Sequence, residues 1–301
     1  MHEEYRYTAF GLTLHSRLQI PHLLPAADAS PPDVTISIQD LSAHPIEYGY
    51  CRIRKPELLF AYAEAGRFRV TNGSSIEIDP VDGCTEALLG AYVMGSGMGA
   101  ILHQRGYLPL HGSCVTNGCH TILITGDSGA GKSTLAAEFL AHGWQLLTDD
   151  VAAVAREDTI PVVQASYPSQ KLWQDSMQRY ERAAKDVHSL YVDATREKFG
   201  VQVLASFHAG ACPLTMLVRL LPTAAPCRIE PIEGITKVDQ LLRNTYRPYM
   251  IAPEDRERHF RRCATLADKL PMRLITRQLG VSCADVLYHM LINELGEMKN
   301  G

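Results

Sequence analysis

The chain lacks the long apolar run that a membrane-spanning helix needs. The stretch that comes nearest, residues 87–102, is shorter than the roughly 20 residues required and is interrupted by glycines. The acidic start, Met1-His2-Glu3-Glu4, also differs from the positively charged start of a signal peptide. We therefore expect a cytoplasmic protein that does not associate with membranes.

The 301 residues also lack a strong excess of charge and any paired cysteine motif. The formal net charge is −4, which argues against nucleic acid as a partner, because nucleic-acid-binding proteins usually carry a basic face. The eight cysteines are scattered, with no CxxC pair and no histidine at zinc-binding spacing. Free thiols in a reducing compartment are therefore expected. The length fits one large domain, or a small domain and a medium one.

Residues 126–134 form a phosphate-binding loop pattern. They read Gly-Asp-Ser-Gly-Ala-Gly-Lys-Ser-Thr and match G-x-x-x-x-G-K-[ST] in full. An apolar, β-branched run (121–125) precedes the loop and a helix-forming run (135–140) follows it, which is the order that the pattern requires. The alternative is an ordinary glycine-rich turn that enters a helix.

This loop predicts that the chain binds a nucleoside triphosphate. The backbone N–H groups are expected to point at the phosphates, at the positive end of the following helix. Lys132 should contact the β- and γ-phosphates, and the Ser133 hydroxyl should bind Mg²⁺. The predicted nucleotide-binding residues of the loop are Gly126, Asp127, Ser128, Gly129, Ala130, Gly131, Lys132, Ser133 and Thr134.

Two consecutive aspartates, Asp149 and Asp150, follow the next expected strand, residues 144–148. A compact strand–helix–strand unit makes a right-handed crossover, so its two strands run parallel and end at the same edge of the sheet. That edge is where open α/β sheets bind ligands. The later apolar run, residues 214–221, ends in a proline and carries no acid. The aspartate pair is therefore the best candidate for metal and substrate chemistry, with a helix cap or a solvated turn as the alternative.

The rest of the chain predicts two domains. Residues 1–84 favour strands, with period-two alternation at residues 34–38 and a hairpin turn at Asn72-Gly73. We expect a β-rich N-terminal domain over residues 1–84 and the nucleotide-binding domain over residues 85–301. Within the second domain we expect a loop entering a helix at residues 166–173 and a helix around residues 176–187. Three further helices are expected at residues 235–244, 253–269 and 282–295, with a strand at residues 273–276.

His111 is the histidine that this pattern places near the loop. It lies in a predicted strand, residues 108–115, which forms a hairpin through Asn117-Gly118 with the strand before the phosphate loop. On position alone, a structural hydrogen-bonding role is the alternative to a role in catalysis.

Three motifs together resemble the core of HPr kinase/phosphorylase: Leu110-His111-Gly112-Ser113, the loop with its preceding strand, and Asp149-Asp150 at that spacing. Those enzymes phosphorylate a serine hydroxyl on a carrier protein, and their nucleotide domain is similar to that of phosphoenolpyruvate carboxykinase. The resemblance covers residues 85–154. It implies an α/β fold of that type that uses ATP and Mg²⁺. It also implies Asp149 as general base, Ser133 and Asp150 at the metal, and His111 in the active site.

The chain departs from HPr kinases after the aspartates. Their downstream glycine-rich acidic signature, which serves the reverse reaction, is missing between residues 155 and 201. Residues 167–173 and Arg196-Glu197-Lys198 instead resemble a diverged branch of homologues, some encoded with lasso-peptide biosynthesis enzymes, that phosphorylate the C-terminal residue of a precursor peptide. This resemblance implies a one-way serine kinase whose partner is a peptide or protein. Lys198 and Arg196 are candidate cations for the nucleotide or a peptide carboxylate, and surface charges on a helix are the alternative.

Two other function classes use the same motifs. One is a small-molecule kinase or carboxykinase-like enzyme, and the other is a regulatory module that binds ATP without transferring phosphate. The acceptor, the preference between ATP and GTP, and assembly into a homo-oligomer are left open by the sequence.

Overall fold

The computed structural model describes residues 4–26, 31–155, 160–173, 187–193 and 196–297, with side chains in residues 173–199 left aside. The described chain is a mixed α/β protein with two large β-sheets and one small sheet. Among these residues no helix combines the length and the apolar character that crossing a membrane requires.

The first sheet is formed by residues 5–80, in the spatial order β3-β1-β2-β4-β8-β7-β6-β5. The alternation predicted for such strands is present, since residues 66, 68 and 70 of one strand are buried and their neighbours are half-buried. Asn72 and Gly73 both have positive φ, as the predicted hairpin turn requires. The strands of this first sheet are β1 (Tyr5–Ala9), β2 (Leu12–Ser16), β3 (Leu24–Pro25), β4 (Val34–Ile38), β5 (Cys51–Arg54), β6 (Glu57–Tyr62), β7 (Gly66–Thr71) and β8 (Ser75–Pro80).

The second sheet carries the predicted motifs, in the order β17-β13-β12-β9-β10-β18-β20-β19, with β11 also paired to β9. The remaining described strands are β9 (Leu108–Thr116), β10 (Thr121–Thr125), β11 (Gln145–Thr148), β12 (Val151–Val154), β13 (Val162–Gln164), β14 (Ser169–Trp173), β15 (Val187–Asp193), β16 (Arg196–Gln202), β17 (Cys212–Pro213), β18 (Met216–Thr223), β19 (Arg228–Pro231) and β20 (Met272–Gln278).

Helices cover both large sheets. The helix at Lys132–Ala141 is called the phosphate-loop helix below, Arg256–Lys269 the basic helix, and Ala284–Glu297 the last helix. The predicted C-terminal helices and the strand between the last two are all present, with ends shifted by at most three residues. The described α-helices are Glu86–Tyr92, Met98–Gln104, Lys132–Ala141, Ile235–Arg243, Arg256–Lys269 and Ala284–Glu297, and a π-helical turn, Val93–Gly97, joins the first two.

The crossover that the sequence predicted around the phosphate loop is confirmed. Both β10 and β11 pair antiparallel with β9, so they run parallel to each other with β9 between them. β10 also pairs parallel with β18, and β18 with β20. The ends of β10, β11, β18 and β20 therefore reach the same edge of the sheet, where the loop and the aspartates lie.

The prediction of a loop entering a helix at residues 166–173 is wrong. Residues 169–173 are strand β14, which pairs with β16 in the small sheet, order β14-β16-β15. The pairing joins residues about 30 positions apart, so a short sequence window does not show it. Of the helix predicted around residues 176–187, residues 176–186 lie outside the described residues, and Val187 begins β15.

Two buried clusters make up most of the core. One surrounds the second sheet and includes Ile122, Leu123 and Ile124 of β10, which are fully buried, together with side chains of the phosphate-loop helix and the last helix. The other belongs to the first sheet and the helices of residues 86–104, but it also contains Val151 and Ala153 of β12. The two sheets therefore share packed side chains across the boundary predicted at residue 84, and the division into two domains stays a prediction.

Candidate functional site

The phosphate loop curls around the ammonium group of Lys132. Lys132 Nζ donates to the carbonyl oxygens of Gly126 (2.8 Å) and Asp127 (3.0 Å), and the residue is only 8% exposed. Gly126, Gly129 and Gly131 have positive φ, and a Cβ at Gly126 would approach the Leu220 carbonyl oxygen to 2.8 Å. Glycine is therefore required where the loop leaves β10, because both the backbone angle and the space exclude a side chain.

Asp149 holds the loop to the neighbouring strands. Its Oδ1 accepts a hydrogen bond from Ser133 Oγ at 3.0 Å and another from the Ser113 hydroxyl of β9. Its Oδ2 accepts from the backbone N–H of Lys171 at 2.7 Å. The residue is 4% exposed, so its carboxylate is a buried acceptor satisfied by three donors from three separate elements.

Asp150 faces a different set of partners. Its Oδ2 lies 2.7 Å from Lys171 Nζ and its Oδ1 lies 3.4 Å from His111 Nδ1. Its φ of 81° is in the left-handed region, which Asp tolerates better than most residues. This backbone turn directs the two neighbouring carboxylates to separate places, Asp149 towards Ser133 and Asp150 towards His111 and Lys171.

The partners of Asp150 form a half-enclosed charged cluster. Burial lowers the pKa of Lys171, but the charge of Asp150 outweighs this effect and holds that pKa above its ordinary value. Burial, with Asp150 adding to it, raises the pKa of Tyr246 to about 12. The Tyr246 ring lies 6.1 Å from the His111 ring. Lys171 is therefore charged and Tyr246 is a neutral phenol at physiological pH.

Two arginines that the sequence analysis did not select approach the loop. Arg277 Nε donates to the Ala130 carbonyl at 2.9 Å, and Arg219 Nη2 lies 2.9 Å from Asp127 Oδ2. They belong to β20 and β18, which follow β10 across the parallel part of the sheet. Their position in the sequence could have predicted this placement. Side chains near the C-terminal ends of parallel strands meet at the edge of the sheet that holds the phosphates.

These groups surround a cavity of about 370 Å³, a size typical of small-molecule sites. The polar part of its lining comes from the loop and the aspartates. The apolar part comes from Leu135 of the phosphate-loop helix and from residues at and just before the start of the last helix. The lining includes His111, Ser128, Gly129, Gly131, Lys132, Ser133, Thr134, Leu135, Asp149, Asp150, Lys171, Arg277, Val281, Cys283, Ala284 and Leu287.

The structure thus brings together His111, Lys132, Ser133, Asp149 and Asp150. Three predicted loop residues, Gly126, Asp127 and Ala130, contribute carbonyl groups that bind Lys132 or Arg277. Lys198 lies on β16, opposite Trp173 and Tyr191 in the backbone pairing, and its side chain is outside the described part of the chain. Since Arg196 and Lys198 are on a strand, the alternative that placed them on a helix is wrong.

The donor set fits a hard cation better than a soft one. In the described residues no group of three or more His, Cys, Asp and Glu side chains could hold a metal ion. The neighbouring hydroxyl of Ser133 and carboxylate of Asp149 instead offer two oxygens. Mg²⁺ prefers oxygen ligands and usually takes only one or two carboxylates from a protein, with the rest from phosphates and water. The site therefore fits Mg²⁺ together with a nucleotide.

Comparison with known proteins finds similarity to solved structures but not to a family model or a curated protein. No protein-family model matches the chain, and no curated protein matches it. Among solved structures, the chain is similar to the HPr(Ser) kinase/phosphatase from Coxiella burnetii, with 13% sequence identity and a TM-score of 0.36, over 64% of this chain and 93% of that one. We therefore argue the function from the geometry of the site.

Proposed function

We propose that this protein is an ATP-dependent kinase that transfers the γ-phosphoryl group to a serine hydroxyl of a peptide or protein. The observation that carries the proposal is one cavity lined by the phosphate loop and by two carboxylates with different partners. A loop that binds phosphates needs no such pair merely to bind a nucleotide. A second carboxylate beside a histidine supplies the proton acceptor that transfer to a hydroxyl requires.

The contacts support a metal role for Asp149 and a proton-accepting role for Asp150. Asp149 is already joined to Ser133, the loop hydroxyl expected at Mg²⁺, and its oxygens accept three protein hydrogen bonds. Asp150 is less buried and lies beside His111. The resemblance to HPr kinases implied the opposite assignment, so the two aspartates are the first residues to separate by mutation.

Transfer would use the remaining groups for binding and charge neutralisation. Backbone N–H groups of residues 128–133 and the ammonium of Lys132 bind the β- and γ-phosphates. Mg²⁺, when bound, offsets charge on the phosphate oxygens during transfer. Asp150 accepts the proton of the serine hydroxyl as the new O–P bond forms and the bond from the γ-phosphorus to the β–γ bridging oxygen breaks, which releases ADP. His111 and Lys171 hold the Asp150 carboxylate in place. Arg277, on the Ala130 carbonyl, keeps the loop in its curled form.

Three finer parts of the proposal rest on the sequence alone. By resemblance, the acceptor is the C-terminal serine of a lasso-peptide precursor. The reaction runs in one direction, because the signature that serves the reverse reaction is missing, and it takes place in the cytoplasm. A small-molecule kinase would phosphorylate a metabolite and ignore peptides. A regulatory module would bind ATP and keep its effect after Asp150→Asn.

The deciding experiment is mass spectrometry of a lasso-peptide precursor that ends in serine, after incubation with the protein and Mg·ATP. We expect a gain of one phosphate that depends on Lys132 and on the C-terminal serine. A matched peptide with alanine in place of that serine is the control. Tight ATP binding without transfer to any serine peptide would contradict the kinase assignment.

A further inference from the structure

A second cavity, of about 360 Å³, lies away from the nucleotide site and is lined by five cationic side chains. They are Arg105, Arg258, Arg261, Arg262 and Lys269, and among the described residues that line this cavity none is acidic. This concentration of positive charge contrasts with the net charge of −4 of the whole chain. We call these five residues and the cavity that they line the basic groove.

The basic helix builds one wall of the groove from a single face. Residues 258, 261, 262, 265, 266 and 269 line the cavity, and this spacing of three and four places them on one side of a helix. From residue 258 to residue 269 this face extends about 16 Å, at 1.5 Å per residue. The floor is apolar and includes Leu108 of β9 and Val154 of β12. The groove thus combines an elongated positive wall with an apolar floor.

Two arginines of the basic groove form ion pairs with acidic side chains of the basic helix and the turn before it. Arg258 pairs with Asp255 at 2.7 Å and Arg261 with Glu257 at 2.5 Å, and both arginine side chains are more than half exposed. Exposed ion pairs of this kind contribute little to stability. A carboxylate entering the groove can therefore take the place of Glu257 at small cost, whereas Asp255 is only 18% exposed and also pairs with Lys55.

We propose that the basic groove binds an acidic segment of the peptide substrate, at a distance from the residue that is phosphorylated. A face of about 16 Å is too long for one phosphate ion and matches about five residues of extended peptide. Nucleic acid suits it less, because such ligands need a basic surface along their backbone and this chain is acidic overall. The apolar floor also fits a peptide, whose side chains alternate between the two faces of an extended strand.

The sheet connects this groove to the catalytic cavity. Leu108 pairs with Val154 at the groove, and three residues further along the same two strands His111 pairs with Val151, the residue after Asp150. Three residues of strand span about 10 Å. Acidic side chains bound in the groove would therefore lie a few residues from the serine that reaches Asp150. This placement, unlike the binding itself, rests on the proposed kinase function.

Binding can be tested without catalysis. A fluorescein-labelled hexaglutamate peptide is titrated with the full chain, and its anisotropy is followed at low and moderate salt. We expect saturable binding that weakens with salt, and that weakens at least tenfold in Arg258→Gln/Arg261→Gln. The matched control, Arg256→Gln/Arg243→Gln, removes two exposed cations outside the groove and should bind like the wild type. Thermal melts check that both variants fold.

A second measurement links the groove to transfer. Two serine peptides are compared as substrates, one with four glutamates before the serine and one with four glutamines. The wild type should show about a tenfold lower KM for the acidic peptide with similar kcat, and the groove variant should lose this preference.

The two measurements separate the groove from the kinase. Binding of hexaglutamate without transfer to either peptide would support peptide binding in the basic groove and contradict the proposed kinase function. Equal KM values for the two peptides with no hexaglutamate binding would leave the kinase function supported and would contradict peptide binding in the basic groove. Stronger groove-dependent binding of inorganic polyphosphate or of a single-stranded oligonucleotide than of hexaglutamate would also overturn the assignment to an acidic peptide.

Discussion

The Ser133 hydroxyl lies 3.0 Å from Asp149 Oδ1, which joins the last part of the phosphate loop to the strand that precedes the aspartate pair. Asp150, the next residue, is held by Lys171 and His111. The two consecutive carboxylates therefore have different partners.

Asp149→Asn and Asp150→Asn should impair different steps, metal binding in the first variant and phosphoryl transfer in the second. Asp150→Asn should leave Mg·ATP binding nearly intact and reduce kcat by about 10²–10⁴-fold, the usual contribution of a general base. Asp149→Asn should raise the Mg²⁺ concentration needed for activity, because it removes a charge beside Ser133. Steady-state kinetics over a Mg²⁺ titration, with nucleotide binding followed separately, checks both. If only Asp150→Asn impairs Mg·ATP binding, the roles are the reverse of those proposed.

Lys132→Ala should reduce transfer by about 10²–10³-fold or more, because it removes a charge aimed at the phosphates. Since Lys132 Nζ also binds two loop carbonyls, we expect a lower affinity for nucleotide and a small loss of thermal stability. Lys237→Ala, a substitution outside the site, is the control. Near-normal turnover by a well-folded Lys132→Ala protein would contradict the nucleotide assignment.

Breaking the ion pair of Lys171 and Asp150 should lower the thermal stability of the protein. Lys171→Met should lower Tm by several degrees, roughly 5 °C, since it leaves the half-buried Asp150 charge without its partner. The double variant Lys171→Met/Asp150→Asn should recover part of this loss, and calorimetry of the four proteins gives the coupling. Additive effects of the two substitutions would contradict the pairing.

The pH dependence of that pair follows from the raised pKa of Lys171. The folded-state pKa of Lys171 lies above its unfolded value of about 10.4. The ion pair therefore stabilises the fold fully at pH values below about 10.4. The stabilisation is lost as the pH rises through the folded-state pKa. The difference in Tm between wild type and Lys171→Met should therefore be constant from pH 7 to 9 and shrink only in strongly alkaline solution.

His103 should make the fold sensitive to acid. Burial lowers its pKa to about 4, and its Nε2 lies 2.8 Å from the Tyr246 carbonyl oxygen. Below an unfolded pKa of about 6.5 the unfolded chain binds the proton that the folded chain excludes, so stability falls between about pH 6.5 and 4, by up to about 3 kcal/mol. His103→Gln should flatten this part of the pH profile of Tm, which thermal melts of the two proteins across this pH range will check.

The reaction should run in one direction. A reverse reaction must hold inorganic phosphate beside a phosphoserine, and the glycine-rich acidic signature that serves this reaction in HPr kinases is missing between residues 155 and 201. We expect no loss of peptide phosphate when purified phosphopeptide is incubated with the protein, Mg²⁺ and millimolar-order phosphate without nucleotide. Release of pyrophosphate would contradict this expectation.

The sequence predicted the parts of the site that depend on local patterns. The loop, the strand before it and the aspartate pair follow each other within 30 residues, and their geometry is set by glycine positions and by crossover handedness. The parts that it missed come from pairing between distant strands. Lys171 reaches Asp150 from β14, which was predicted as a loop, and Arg277 reaches the loop from β20.

The shared core between the two large sheets has a mechanical consequence for the aspartates. Val151 and Ala153 lie one and three positions after the pair, and both belong to the core cluster of the first sheet. The N-terminal sheet therefore packs, together with the helices of residues 86–104, against the strand that follows Asp150. A chain shortened to residues 85–301 would lose the sheet's share of this cluster, so Asp150 would be held less firmly although every residue that lines the cavity is unchanged.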